Sequence, residues 1–195
     1  YLPLMLKAPY VVTGASRGLG RAIARNLAEC GHPIIALSRD AVSLGLAGAE
    51  FADIQADSIT ITCDLADRAD IAAAAEQIKA KTGWIAGIVH NAGIISPIKS
   101  IAEVDRANWV RNIQINLVGV QDLTNRLMPV LGGEEQSRIT TISSGASLRA
   151  ISGWSAYCVA KAGLDMWAKC MAEEGAENKY KVAINKALNS GVNKH

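Results

Sequence analysis

Three glycines stand in the run Thr13-Gly14-Ala15-Ser16-Arg17-Gly18-Leu19-Gly20, directly after the short apolar run Tyr10 to Thr13 and before an amphipathic stretch. At a strand-to-helix turn this spacing suits a bound pyrophosphate. Gly14 permits the tight turn, Gly18 lets the backbone approach the anion, and Gly20 lets the helix pack close to the strand. The start of the helix, with Ser16, Arg17 and Leu19 in the same turn, then offers unpaired N–H groups to the phosphates. The chemistry expected here is dinucleotide binding.

The next apolar run ends in Ala36-Leu37-Ser38-Arg39. An acidic residue at that point would hydrogen-bond the ribose 2′-OH of NAD and repel a 2′-phosphate. A hydroxyl and a guanidinium do the opposite, and Arg17 adds a second cation, so NADP(H) is favoured over NAD(H). The alternative is that Arg39 is a solvated strand-end charge and Asp40 takes the acidic role one position late.

Tyr157 and Lys161, four residues apart, project from one face of a helix. A tyrosine hydroxyl is a poor acid or base at neutral pH, but a neighbouring ammonium favours the phenolate, which makes the pair a candidate proton donor. Ser144, thirteen residues upstream, follows another apolar run, where its hydroxyl would donate to a substrate carbonyl. Ser143 stands beside it, and strand alternation allows one of the two to face a pocket.

Positioning these residues requires alternating strands and helices. Strands are expected at Tyr10 to Thr13, Pro33 to Ser38, Ser58 to Cys63, Ile85 to His90, Arg138 to Ser143 and Val182 to Ala187. Helices are expected at Leu19 to Cys30, Ala41 to Ala56, Asp67 to Lys81, Val104 to about Met128, and Ala156 to Gly175. The short, mostly apolar strands read as covered on both faces. The alternation implies an α/β chain: one Rossmann-type, doubly wound parallel sheet with helices on both faces, in a single domain spanning residues 1–195. Punctuation agrees: Cys30-Gly31-His32-Pro33 closes one helix with glycine and proline, and Asp64 and Asp67 flank the start of another.

Composition narrows the function. The 195 residues are 50% hydrophobic and 19% charged with a net charge of +2, and the basic residues are not clustered, so nucleic acid is not expected as a partner. No apolar run approaches the roughly 18 residues that would span a bilayer, and none is expected to insert in a membrane. Residues 1 to 9 show neither a cationic leader nor a small-residue cleavage site. The chain starts at Tyr1, which leads us to expect a removed or missing upstream segment. Cys30, Cys63, Cys158 and Cys170 form no CxxC pair and no metal spacing with His32, His90 or His195. They read as thiols in a reducing, cytoplasmic compartment, with no metal site.

Together, Thr13-Gly14-xxx-Gly18-x-Gly20, Asn91-Ala92-Gly93, Asn116, Ser144 and Tyr157-xxx-Lys161 resemble the short-chain dehydrogenase/reductase family, classical type, over about residues 8 to 193. The stretches Ile142 to Ala146 and Gly153 to Cys158 are similar to its sepiapterin reductase and benzil reductase branch. The resemblance implies an NADPH-dependent oxidoreductase that reduces a ketone or dicarbonyl to an alcohol. Tyr157 would be the general acid, Lys161 would lower its pKa and bind the nicotinamide ribose, and Ser144 would polarise the carbonyl. Asn116 would hold a water linking Lys161 to solvent. Asn91, with Ala92 and Gly93, would shape the cofactor pocket, and Asp64, followed by Leu65, would meet the adenine amino group.

The family pattern continues past the sixth strand with a Pro-Gly turn, a helical lid and a last strand. This chain reads Leu188-Asn189-Ser190-Gly191-Val192-Asn193 and stops at His195. The expectation is therefore that lid and last strand are missing and that the sixth strand has an open edge. Two outcomes stay open: an incomplete reductase, or a nucleotide-binding protein of weak activity with a sensor or structural-subunit role. Leu148, Ile151 and Trp154 are candidate pocket walls for an apolar or aromatic carbonyl or alcohol substrate. Trp109, Met166, Trp167 and Met171 supply more apolar surface than one sheet face needs, which suggests a homodimer or homotetramer.

Overall fold

The structure is a computed structural model that describes residues 7–133, 135–175 and 180–187. The elements run β1 Tyr10–Thr13, α1 Gly18–Glu29, β2 Ile34–Ser38, α2 Ala41–Ile54, β3 Ile59–Thr62, α3 Arg68–Lys81, β4 Gly87–His90, α4 Arg106–Ile113, α5 Gly119–Leu127, β5 Ser137–Ser144, α6 Ser155–Gly175 and β6 Tyr180–Ala187. The strands form one six-stranded sheet in the order β3-β2-β1-β4-β5-β6, with every pair parallel. This is the doubly wound Rossmann order. The strand order reverses between β1 and β4, which opens a crevice at their carboxyl ends.

Both sheet faces are covered, and for that reason the strands read as apolar runs. Val11, Leu37, Ile61, Ile88 and Ile139 join Ile71, Ile78, Leu123, Leu127 and Met171 of α3, α5 and α6 in one core layer. Val12, Ile34, Ala36 and Val89 meet Ala24, Ala28, Leu44 and the chain's single phenylalanine, Phe51, in the other. Helix starts are capped by acidic side chains: Asp40 for α2, Asp67 for α3 and Asp105 for α4. Helix α1 differs. Arg17 occupies its cap position with no side-chain hydrogen bond, so the first N–H groups of α1 receive no side-chain cap.

The long helix expected from Val104 to Met128 is divided. Helix α4 begins at Arg106, a π turn occupies Gln114–Val118, α5 follows, and a 3₁₀ turn of Met128–Val130 ends the run. An apolar pattern continuous through the segment does not reveal one widened turn. What the π turn accommodates is Asn116, fully buried and bonded to residues outside its own helix. Smaller shifts occur elsewhere: β4 begins at Gly87, with Ile85 left in an isolated bridge to Leu131, and β6 begins at Tyr180. Among the described residues, β6 has β5 as its neighbour and nothing on its other side. The expectations placed on residues 1–6 and 188–195 lie outside the described residues. Among the described residues no helix is long and apolar enough to cross a membrane, and no group of three or more His, Cys, Asp or Glu is placed to hold a metal.

Candidate active site

A cavity of about 330 Å³ lies at the carboxyl ends of β1 to β4. The glycine turn contributes Thr13, Gly14, Ser16, Arg17 and Gly18 to its wall, the end of β2 Leu37, Ser38 and Arg39, and the end of β3 Cys63, Asp64 and Leu65. The segment after β4 adds Asn91, Ala92, Gly93 and Ile94, and the π turn adds Ile115. Leu19 and Gly20, expected on this wall, are not part of it. Leu19 is turned to solvent. Gly20 lies beneath the turn, where a Cβ would collide with the Gly14 carbonyl oxygen.

Gly14 and Gly18 have φ of 68° and 54°, a region that disfavours residues with a Cβ. Asn91 braces the turn. Its Nδ2 donates to the carbonyls of Thr13 (3.1 Å) and Gly14 (3.3 Å), while Thr13 Oγ1 accepts from the backbone N–H of Asn91 and Ala92. At the far end, Ser16 Oγ and Ser38 Oγ are 3.0 Å apart. Asp40, the alternative acidic residue, is off the cavity wall. Its carboxylate accepts from Val42 N, Ser43 N and Ser43 Oγ, and so serves α2.

Asp64 is already engaged. One carboxylate oxygen accepts from Ala66 N and the other from Arg111 of α4, each at 2.9 Å. Burial would raise its carboxyl pKa, but the Ala66 N–H and the Arg111 guanidinium, helped by Arg39, outweigh burial and hold it below the usual value. Ile94, Arg111 and Ile115 carry no signal in the sequence, and Cys63 reads there as a thiol and not as part of a site. They come from the end of β3, the segment after β4 and the α4–π run, and only the sheet order brings these together.

At the other end stand Ser144, Tyr157 and Lys161. Lys161 is 4% exposed, and its Nζ donates to the Ile142 carbonyl at 2.8 Å and sits 5.7 Å from the centroid of the Tyr157 ring. Burial lowers its ammonium pKa to about 8, opposed by Asp165 one turn further on. Neither carboxylate oxygen of Asp165 has a hydrogen-bond partner among the described residues. Lys161 and Tyr157 are not part of the cavity wall, yet Nζ comes within 3.8 Å of the point where a Cβ on Gly93 would stand. Tyr157 is half-buried, its ring edge-on to Trp154 at 5.7 Å, and its hydroxyl has no hydrogen-bond partner among the described residues. Ser144 Oγ accepts from Ala146 N at 3.2 Å, and its hydrogen is not spent on a protein acceptor. Ser143 is buried; Ser144 is the more accessible of the two serines.

Asn116 holds the segment after β4. Its Nδ2 donates to the Ile94 carbonyl (2.8 Å) and to Asn112 Oδ1 (2.9 Å), and its Oδ1 accepts from Ile94 N (3.2 Å). Asn112, fully buried one turn earlier, was missed in the sequence because a single Asn inside a helical pattern carries no local signal. Of the candidate substrate walls, Leu148 is exposed, and Ile151 and Trp154 are half-buried. Trp167 and Met171 belong to the core and Trp109 bonds Ser155, so of the four residues invoked for an oligomer Met166 alone stands exposed.

Sheet order and cleft together are those of a Rossmann-type oxidoreductase. The chain belongs to the short chain dehydrogenase family, which matches it over residues 9–193. Within that family it falls in the benzil reductase-like branch. It is 32% identical to a benzil reductase ((S)-benzoin forming) of Bacillus cereus, covering 89% of this chain and 71% of that one. It is 29% identical to an NADPH-dependent pterin aldehyde reductase of Arabidopsis thaliana, with coverage of 90% and 72%. Among solved structures, a metagenomic short-chain oxidoreductase in complex with NADP superimposes with a TM-score of 0.86 at 29% identity, covering 96% of this chain and 84% of that one.

Proposed function

We propose that the protein is an NADPH-dependent carbonyl reductase that converts a ketone or dicarbonyl to an alcohol, with Tyr157, Lys161, Ser144 and Asn116 as its catalytic set. The observation that carries this reading is the placement of Lys161 Nζ beside Gly93. It sets the Tyr157–Lys161 pair at the edge of the same cavity whose other end carries Ser38, Arg39 and Arg17.

The residues present fit a dinucleotide. The start of α1 lacks a side-chain cap, the glycine at position 18 faces open space, and two guanidiniums flank the end of β2, where a 2′-phosphate would be received. Asp40 is committed to α2, and the acid that remains on the wall, Asp64, is paired with Arg111. The reading also agrees with the NADPH and NADP in the names of the Arabidopsis and metagenomic relatives.

When bound, the nicotinamide supplies a hydride to the carbonyl carbon. Ser144 donates to the carbonyl oxygen and orients it. Tyr157 gives that oxygen its proton, so the carbonyl becomes the alcohol and the tyrosine a phenolate, and the charge of Lys161 stabilises the phenolate. Asn116 holds the wall formed by Ile94. The half-buried Ile151 and Trp154 favour an apolar or aromatic carbonyl, in keeping with the benzil reductase relatives. The whole chain acts as one nucleotide-binding domain. The four free cysteines suit a reducing, cytoplasmic setting, and the exposed Val110, Val118, Val159 and Met166 supply the contact of a homodimer or homotetramer.

The test is a pair of fluorescence titrations with NADPH and NADH, followed by turnover of benzil with NADPH. Tighter NADPH binding and turnover abolished by Tyr157→Phe support the proposal. Binding without turnover of any carbonyl would instead mark a nucleotide sensor, and no binding would overturn both readings.

A further inference from the structure

Between β4 and α4 the chain runs without regular structure, and none of the backbone groups of residues 94–98 pairs with another backbone group. Polar backbone groups packed against a protein interior need partners, and here side chains supply them. Asn112 is 0% exposed, and its Nδ2 lies 3.1 Å from the carbonyl oxygen of Ile94, 3.2 Å from that of Ile95 and 2.7 Å from that of Ser96. Its Oδ1 accepts from Asn116 Nδ2, which also reaches Ile94. Three successive carbonyls thus converge on one amide. An aliphatic side chain of the same volume would leave the Ile95 and Ser96 carbonyls without that donor, and the Ile94 carbonyl with Asn116 alone.

What this clamp holds matters for the reaction. Ile94 forms part of the cavity wall. Further along, Lys99 N donates to the Gly153 carbonyl at 3.0 Å, which joins the segment to the loop carrying Trp154, itself against Tyr157. From the same helix, Trp109 Nε1 donates to Ser155 Oγ at the start of α6. Helix α4 therefore braces both walls of the space in front of Tyr157. We infer that Asn112 is a positioning residue that, by gathering the carbonyls of Ile94, Ile95 and Ser96, sets how the substrate carbonyl approaches the reacting groups. It touches neither substrate nor nucleotide. The inference rests on the carbonyl-reductase reading above.

The test compares the wild type with Asn112→Leu in the full chain. We expect NADPH affinity to stay within about threefold, because the walls at Ser38, Arg39 and the glycine turn are untouched, while kcat on benzil falls by about tenfold or more and the enantiomeric ratio of the benzoin formed drops. Amide hydrogen exchange supplies a second readout. The Ile94 N–H, bonded to Asn116 Oδ1, should be protected in the wild type and should exchange at least about tenfold faster in the variant, with β1 and β3 amides unchanged. The inference is overturned if kcat and enantiomeric ratio are unaltered, or if nucleotide affinity falls in step with kcat. An unprotected Ile94 amide in the wild type also overturns it, and should Asn112→Leu fail to fold the same readouts are taken on Asn112→Ala. Absence of wild-type turnover on any carbonyl would overturn the function itself, whereas faster exchange of the Ile94 amide in the Asn112 variant would still establish the clamp.

Discussion

The hydroxyls of Ser16 and Ser38 stand 3.0 Å apart, joining the glycine turn to the end of β2 between the guanidinium-bearing positions 17 and 39. One hydrogen bond thus ties the segment suited to a pyrophosphate to the segment that, on the proposed function, would meet the ribose. Asp40, next in sequence to Arg39, is turned into the cap of α2. Cofactor choice is thereby left to the hydroxyls and the cations.

Replacing Arg39 by aspartate places a negative charge where a 2′-phosphate would bind. Arg39→Asp should weaken NADPH binding by about 10- to 100-fold and leave NADH binding within about threefold, reversing the preference. Paired fluorescence titrations measure both. An unchanged ratio would show that Arg39 is a solvated charge.

The Tyr157 hydroxyl has no hydrogen-bond partner among the described residues, so its removal should not disturb the fold. Tyr157→Phe is expected to keep the wild-type melting temperature and NADPH affinity and to lose about 10²- to 10⁴-fold in kcat, the range of a general acid. Residual turnover near the wild-type rate would place the proton donor elsewhere.

Lys161 has its pKa lowered by burial to about 8, against an ordinary value of 10.5. Between these values the unfolded chain binds more protons than the folded one, so stability rises with pH across that window. The buried charge costs about 3 kcal/mol below pH 8 and the cost fades by pH 10.5. Urea denaturation should therefore show the wild type gaining about that much relative to Lys161→Met between pH 7.5 and 10.5. Parallel curves for the two proteins would refute it.

His90 is fully buried at the end of β4, and burial, with a smaller contribution from the Lys161 charge, presses its pKa down to about 3. Thr124 Oγ1 donates to the Val120 carbonyl, so His90 Nε2, 2.7 Å away, is the donor to Thr124, and Nδ1 has no partner among the described residues. The unfolded histidine takes up a proton as pH drops through 6.5, and the folded one does not until about 3. Stability is accordingly lost across that interval, by about 3 kcal/mol at pH 4. The wild type should lose that much more than His90→Leu on going from pH 7 to 4, read by urea denaturation at both pH values.

Much of this molecule was legible without coordinates. Strand and helix alternation appears in the chain because strands covered on both faces are mostly apolar, as Ile34 to Leu37 of β2 are, and because turn chemistry such as Gly31-His32-Pro33 lies within a few residues. Gly14, Gly18 and the Tyr157–Lys161 spacing are likewise local. The division between α4 and α5 was not legible, since a π turn adds no residue type that a helix would lack. Arg111 and Asn112 were not legible either. Their partners, Asp64 and residues 94–96, lie 47 and 16 to 18 residues away.

The sequence by itself determined the order of elements, the phosphate-type turn and the residue types at the site, because those depend on periodicity, backbone freedom and short spacing. Tertiary structure alone decided that Asp40 caps a helix while Ser38 and Arg39 face the cleft, that Lys161 reaches both Ile142 and the neighbourhood of Gly93, and that two asparagines close on one loop. Apart from the Asp40 cap, which is local, those outcomes are contacts between segments distant in the chain. Such contacts follow from the parallel strand order and from burial, which oblige every enclosed polar group to find a partner across space.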